Sequence, residues 1–169
     1  MKGKVLTLAV VTVAVSLAAG LGSASAADHL GMTSAQVSAA HSGLGQVLVD
    51  GRGRTLYLFL KDIAGKSACN QLCARYWPPL ITTGRPVAKS GAKSSLLGAV
   101  RRADGRLQVT YNHHPVYTFV QDTRKGQTSG EGLDEFGARW YVLSPAGAKV
   151  AKSGNSMPSG GYGAGGYGY

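Results

Sequence analysis

The sequence predicts a mainly all-β fold: two pseudo-repeats of short antiparallel strands forming a small sandwich or barrel, with one short helical turn near Cys69-Cys73. Three observations carry this reading. Short aromatic and β-branched runs are punctuated by turn residues through the middle of the chain. Extended 3.6-residue periodicity is scarce. A motif recurs at an offset of 60: Tyr57-Leu-Phe59-Leu-Lys-Asp62 superimposes on Tyr117-Thr-Phe119-Val-Gln-Asp122. At 169 residues the chain admits one ordinary domain with tails. The 25 glycines are about twice the usual share, and charged residues at 15% fall below the usual ~25%, which excludes a coiled coil and a multi-span membrane protein.

Taken in order, Lys2 and Lys4 precede an uncharged run from Val5 to Leu21 and the small-residue stretch ending Ala24-Ser25-Ala26. This is the pattern of a secretory signal peptide over residues 1–26, with cleavage after Ala26, so no transmembrane anchor is expected after processing. No Cys lies near the end of the run, which leaves no acceptor there for a thioether-linked lipid. Residues 27–43, rich in Ala, Ser and His, read as a flexible arm.

The β domain is expected over 44–152, with repeats at about 45–83 and 95–147. Gln46–Val49 and Thr55–Leu60 read as strands joined by the Gly-containing turn Asp50–Gly53. Leu96–Val100, the turn at Asp104-Gly105, Leu107–Tyr111, the turn Asn112–Pro115 and Val116–Val120 repeat that grammar, and Trp140–Leu143 closes the series. Ser153–Tyr169 holds 7 of the 25 glycines and no charge, so it buries too little apolar surface to offset its backbone entropy and reads as a disordered tail.

Tyr57, Phe59 and Asp62 with Tyr117, Phe119 and Asp122 form the repeat motif. In each strand the aromatic pair lies on alternate positions and shares one face, which suits core packing ahead of a sugar-stacking platform. Asp62 and Asp122 end equivalent strands, where a carboxylate accepts backbone N–H bonds and sets the next loop. Paired acid-base carboxylates would ask for the same residue types. The chain otherwise lacks a spacing that names a reaction, so no catalytic residue is assigned.

Cys69 and Cys73 are the only cysteines. After export to an oxidising compartment, an even pair so close reads as a structural disulfide, with thiol redox or copper binding as the alternative. Two thiolates with an added His would suit Cu(I) better than zinc, because a zinc site wants four ligands. His113 and His114 are the candidate metal residues of lower rank, and they fall in a turn where neighbouring side chains diverge. Otherwise no cofactor is expected.

Lys and Arg number 18 against 8 Asp and Glu, a formal charge of +10, and removal of Lys2 and Lys4 with the leader leaves +8. The cations stand at turns (Arg52 and Arg54; Arg101, Arg102 and Arg106) and in the connector (Lys89 and Lys93), without a nucleic-acid reader motif. Outside a membrane the available polyanion is cell-wall material, so weak, salt-sensitive adhesion to the envelope is expected.

The run from Asp50 to Asp62, then Ser67-x-Cys69-x-x-x-Cys73-Ala74-x-x-Trp77-Pro78-Pro79-Leu80, resembles the secreted-repeat lipoprotein family marked by Y-x-(F/W/Y)-x-x-D. Gln108–Asn112 and Phe136-Gly137-x-x-Trp140-Tyr141-Val142 are similar in the second half. The resemblance covers about Gly45 to Gly147 and implies an exported bacterial envelope protein without assigning a biochemical role. Two departures stand out: the missing lipobox Cys, and His113 where a turn glycine is expected. The resulting expectation is a secreted or wall-associated, non-enzymatic binding or structural module. Extracytoplasmic thiol-redox or copper handling through Cys69 and Cys73 is the alternative.

Overall fold

The computed structural model describes residues 34–150. The signal peptide expected over 1–26, the first part of the arm and the tail expected over 153–169 lie outside the described residues. The chain runs β1 (Gln36–Ser42), β2 (Gly45–Asp50), β3 (Tyr57–Phe59), α1 (Leu72–Tyr76), β4 (Ile81–Thr82), β5 (Val87–Ala88), a 3-10 turn (Ser94–Leu96), β6 (Leu97–Arg101), β7 (Leu107–Tyr111), β8 (His114–Pro115), β9 (Asp134–Glu135) and β10 (Ala138–Val142). The fold is all-β with short elements, as expected. Of the two arrangements expected, sandwich or barrel, the closed barrel does not form among the described residues. Strands are divided among three small sheets, ordered β2-β1-β5, β3-β10-β9 and β4-β7-β6 with β8 beside β7.

One boundary is corrected. From Gln36 onward the segment read as a flexible arm is strand β1, paired antiparallel with β2 from Val37↔Asp50 to Ser42↔Gly45. Its Ala and Ser content hides it from propensity reasoning, since the strand is held by its ladder and by burial of Val37, not by side chains with intrinsic β preference. The Gly/Ser-rich connector docks on the outer edge of β1. There β5 pairs in parallel, and the Lys89 and Ala39 amides bond Val37 O and Ser90 O at 2.7 and 2.8 Å.

The two repeats are exchanged at their C-terminal ends. Tyr57, Leu58 and Phe59 pair with Val142, Tyr141 and Trp140 of the second repeat. In the mirrored position the Thr118 amide bonds Pro78 O at 2.9 Å, and Pro79 bridges Tyr117. Three further pairs of hydrogen bonds obey the same relation. Leu48 N to Leu143 O matches Val109 N to Leu80 O; Leu56 N to Leu48 O matches Val116 N to Val109 O; Leu143 N to Leu56 O matches Leu80 N to Val116 O. At the centre Tyr57 and Tyr117 exchange both backbone bonds, at 2.8 and 3.0 Å. An approximate two-fold axis therefore passes between the two motif tyrosines.

Alternation then splits the apolar residues into two cores. Val47, Val49, Tyr57 and Phe59 face a cluster with Trp77, Tyr117, Phe119 and Trp140, while Leu48, Leu56 and Leu58 face one with Val37, Val109, Val116 and Leu143. Both faces of these central strands are buried, which is why their sequence is continuously apolar.

Candidate functional site

The motif residues meet across the axis. Tyr57 Oη donates to Asp122 Oδ2 at 2.5 Å, and Tyr117 Oη donates to Asp62 Oδ2 at 2.8 Å. Each carboxylate spends its other oxygen on the following loop: Asp122 Oδ1 accepts from the Ser129 amide at 2.9 Å, and Asp62 Oδ1 from the Ala68 amide at 2.7 Å. Each repeat thus supplies the tyrosine that satisfies the other's aspartate. Burial, reinforced by the partner carboxylate, pushes both phenols well above their ordinary range, so they stay protonated donors. Burial also raises Asp122, and it lifts Asp62 to about 6 against the lowering effects of Ala68, Tyr117 and the Arg102 charge.

Between the tyrosines runs a column of four stacked rings. Trp77 and Trp140 stack at 4.0 Å and 4°, Phe59 covers Trp140 at 4.0 Å, and Phe119 covers Trp77 at 4.1 Å. Tyr57 and Tyr117 meet the two indoles edge-on at 5.2 and 5.1 Å, the geometry that ring quadrupoles favour for perpendicular pairs. All six rings are at most 2% exposed, so none offers a face to a ligand in this arrangement. Glu135 serves both indoles, taking Trp77 Nε1–H on its carboxylate at 2.8 Å and Trp140 Nε1–H on its backbone carbonyl at 3.2 Å. Gly130 is required by close approach, because a Cβ there would lie 2.5 Å from Trp77 Cη2.

Cys69 and Cys73 are disulfide-bonded with Cα atoms 5.2 Å apart and are at most 5% exposed. Only Cys73 lies on α1; Cys69 precedes it, separated by Gln71 at φ 48°, so the pair does not share one helical face. A thiolate attacking this bond has to reach a buried sulfur. The loop is clasped by Arg102, whose Nη1 donates to Ser67 Oγ and Gln108 Oε1 at 2.6 Å each and whose Nη2 donates to Cys69 O and Asn70 Oδ1 at 2.7 and 3.1 Å. Ser67 Oγ also lies 2.8 Å from the Tyr117 hydroxyl, which connects the Arg102 network to Asp62. The sequence places Arg102 with Arg101 and Arg106 on a solvated turn; the structure buries it to 6% exposure, and no local pattern distinguishes it from Arg101.

His113 is exposed in a left-handed turn with Asn112, at φ 66° and 47°, while His114 is half-buried in β8. Burial, and then the neighbouring His113, lowers His114 below its ordinary range. Among the described residues no group of three or more His, Cys, Asp or Glu stands ready to hold an ion. Nor is any described helix long and apolar enough to cross a membrane.

Two segments, residues 38–81 and 98–144, match the Lipoprotein_15 family, described as a secreted repeat of unknown function. No curated protein and no solved structure matches the chain. The first matched segment opens inside β1 and the second inside β6, so each takes in the hairpin, the tyrosine strand and the tryptophan of one exchanged repeat. Together the segments cover more than half of the chain, which therefore belongs to this family of secreted repeats.

Proposed function

We propose that the protein is an exported, non-enzymatic binding module that adheres to anionic cell-wall polymer through exposed Arg and Lys side chains. The observation that supports this is a separation of charge by depth and by partner. Carboxylates are consumed internally. Asp50 holds Arg54 and the amides of its own turn, Asp62 and Asp122 hold the tyrosines, and Glu131 and Glu135 hold the Val142 amide and the Trp77 indole. Asp104 and Asp134 face Arg106 and Arg139 at 2.7 and 3.8 Å. By contrast Arg52, Lys66, Arg75, Arg85, Lys89, Lys93, Arg124 and Lys125 are exposed and form no ion pair among the described residues.

Such a shell is a weak, delocalised attractor for a polyanion, and its range is set by ionic strength. Retention on isolated cell walls should therefore fall steadily as salt rises toward ~1 M, where the Debye length is ~3 Å. Retention that ignores salt would overturn the reading. Family membership supports the exported setting. The non-enzymatic reading draws on the full occupation of Asp62 and Asp122 by hydrogen bonds, which leaves neither poised toward a substrate.

A further inference from the structure

We infer that the cleft between the disulfide loop and the Arg102–Arg106 turn is a subsite for a phosphodiester group of an anionic wall polymer. This rests on the wall-adhesion reading and narrows it to one place. The cleft, of about 520 Å³, is lined by Arg75, Arg102 and Arg106 together with Asn70, Gln71 and Asp104. Three arginines and a single carboxylate line it. Asp104 is engaged by Arg106 through Nε at 3.0 Å and Nη2 at 2.7 Å, and that pairing holds its carboxyl down at about 2, so it stays ionised. Two positive charges remain without a counter-charge in the cleft.

The three cations differ in what they offer. Arg102 is immobilised by four hydrogen bonds and is only 2% exposed along its side chain, so its charge is fixed in place at no further entropic cost. Its Nε is buried without a hydrogen-bond partner, with Asp104 Oδ2 3.6 Å away. Buried donors left in this state are uncommon, and the Asp104 carboxylate that faces this one is already taken by Arg106. Arg75 is exposed at the end of α1 with no ion pair among the described residues, so its planar fork is available. All three lining cations are arginine, the side chain whose donor geometry matches the paired oxygens of a phosphodiester. One such contact is weak, and a polymer that repeats the group every few atoms raises the effective concentration of the next one.

The test is titration of the intact secreted protein with a short poly(glycerol phosphate) oligomer at low salt, followed by backbone amide NMR. The amides of Asn70 to Arg75 and Ala103 to Arg106 should shift. Arg75→Gln with Arg106→Gln should weaken binding by roughly tenfold, the size expected for losing a charge-assisted hydrogen bond. Arg85→Gln with Lys89→Gln, which removes the same charge elsewhere, should weaken it by much less. Asp104→Asn should tighten it, an outcome that a misfolded variant does not produce. Equal losses in the two double variants would overturn the subsite while leaving wall adhesion standing, as would a wild-type protein that binds walls in a salt-sensitive way but ignores the oligomer. Binding to phosphatidylglycerol vesicles without binding to the oligomer would replace the polymer by a lipid headgroup. Failure to bind isolated walls at all would remove the broader reading instead.

Discussion

A hydroxyl that donates across a pseudo-symmetry axis to a buried carboxylate does two things, and mutation separates them. Tyr57→Ala and Tyr117→Ala remove a ring that is fully buried against the tryptophan column, and each should destabilise by roughly 3–5 kcal/mol, the usual range for truncating large core residues. Denaturant titration with comparable losses in both halves is the expected result. Wild-type midpoints in both would show that the rings contribute little packing. The carboxylate partner yields a pH dependence of definite sign. Burial raises Asp62 to about 6, above its value in an unfolded chain, so between about pH 4 and 6 the folded state binds the extra proton. Stability from this group therefore rises as pH falls through that window and is lowered once the carboxylate ionises above it. Asp122 is raised and acts in the same direction, whereas His114 is lowered and opposes it just below its ordinary value. Asp104, held at about 2, titrates below the window. Asp62→Asn should accordingly flatten the slope of unfolding free energy between pH 4 and 6. A slope unchanged by that substitution would mean Asp62 does not carry it.

At the scale of elements, the exchange of C-terminal segments makes each repeat dependent on the other. The first repeat lacks a partner for Tyr57–Phe59 until Trp140–Val142 arrives, and Ile81-Thr82 finds its ladder only on β7, through Gln108 and Leu107. Fragments 34–83 and 95–150 should each show no cooperative unfolding by circular dichroism, and mixing them should restore it. A lone fragment with a sharp transition would refute the dependence. The same long-range pairing explains what the sequence made legible. Alternation and turn residues located β2, β6, β7 and β10 to within a residue or two, because those signals are local. Repetition at an offset of 60 exposed the tyrosines and aspartates of the motif. Which tyrosine meets which aspartate was not legible, because the bonds join residues 65 and 55 positions apart. Val116–Val120 read as a strand from its composition, yet only His114-Pro115 enters a regular ladder there, since Val116, Tyr117, Thr118 and Val120 donate one at a time to Val109, Tyr57, Pro78 and Tyr76. Arg102 escaped for a related reason. Three of its four acceptors, Ser67, Cys69 and Asn70, lie more than thirty residues upstream, and nothing beside it in the chain announces them.

For the molecule as a whole, pairing of the acids within the chain and outward display of the bases would put stability and the proposed adhesion in opposition with respect to salt. With a formal charge of +10, the folded chain gathers like charges closer than the unfolded chain does, and this self-repulsion lowers stability. The ion pairs that salt would weaken are few and mostly half-exposed: Arg106–Asp104 and Arg139–Asp134 sit at the surface, where solvent screens such pairs and they contribute little. The interactions that hold the core, tyrosine to aspartate and Arg102 to the disulfide loop, are buried and little screened. Screening therefore relieves more repulsion than attraction, and the melting temperature should climb as sodium chloride rises from low concentration to about 0.15 M, where the Debye length has shrunk to about 8 Å. Over the same interval, retention on cell walls should decline, because that attraction lies entirely outside. Thermal unfolding and wall retention measured on one preparation across one salt series provide the check. Stability that falls together with retention would mean that surface ion pairs, not the buried tyrosine and arginine networks, hold the folded state, and the separation of charge by depth would then have no energetic consequence.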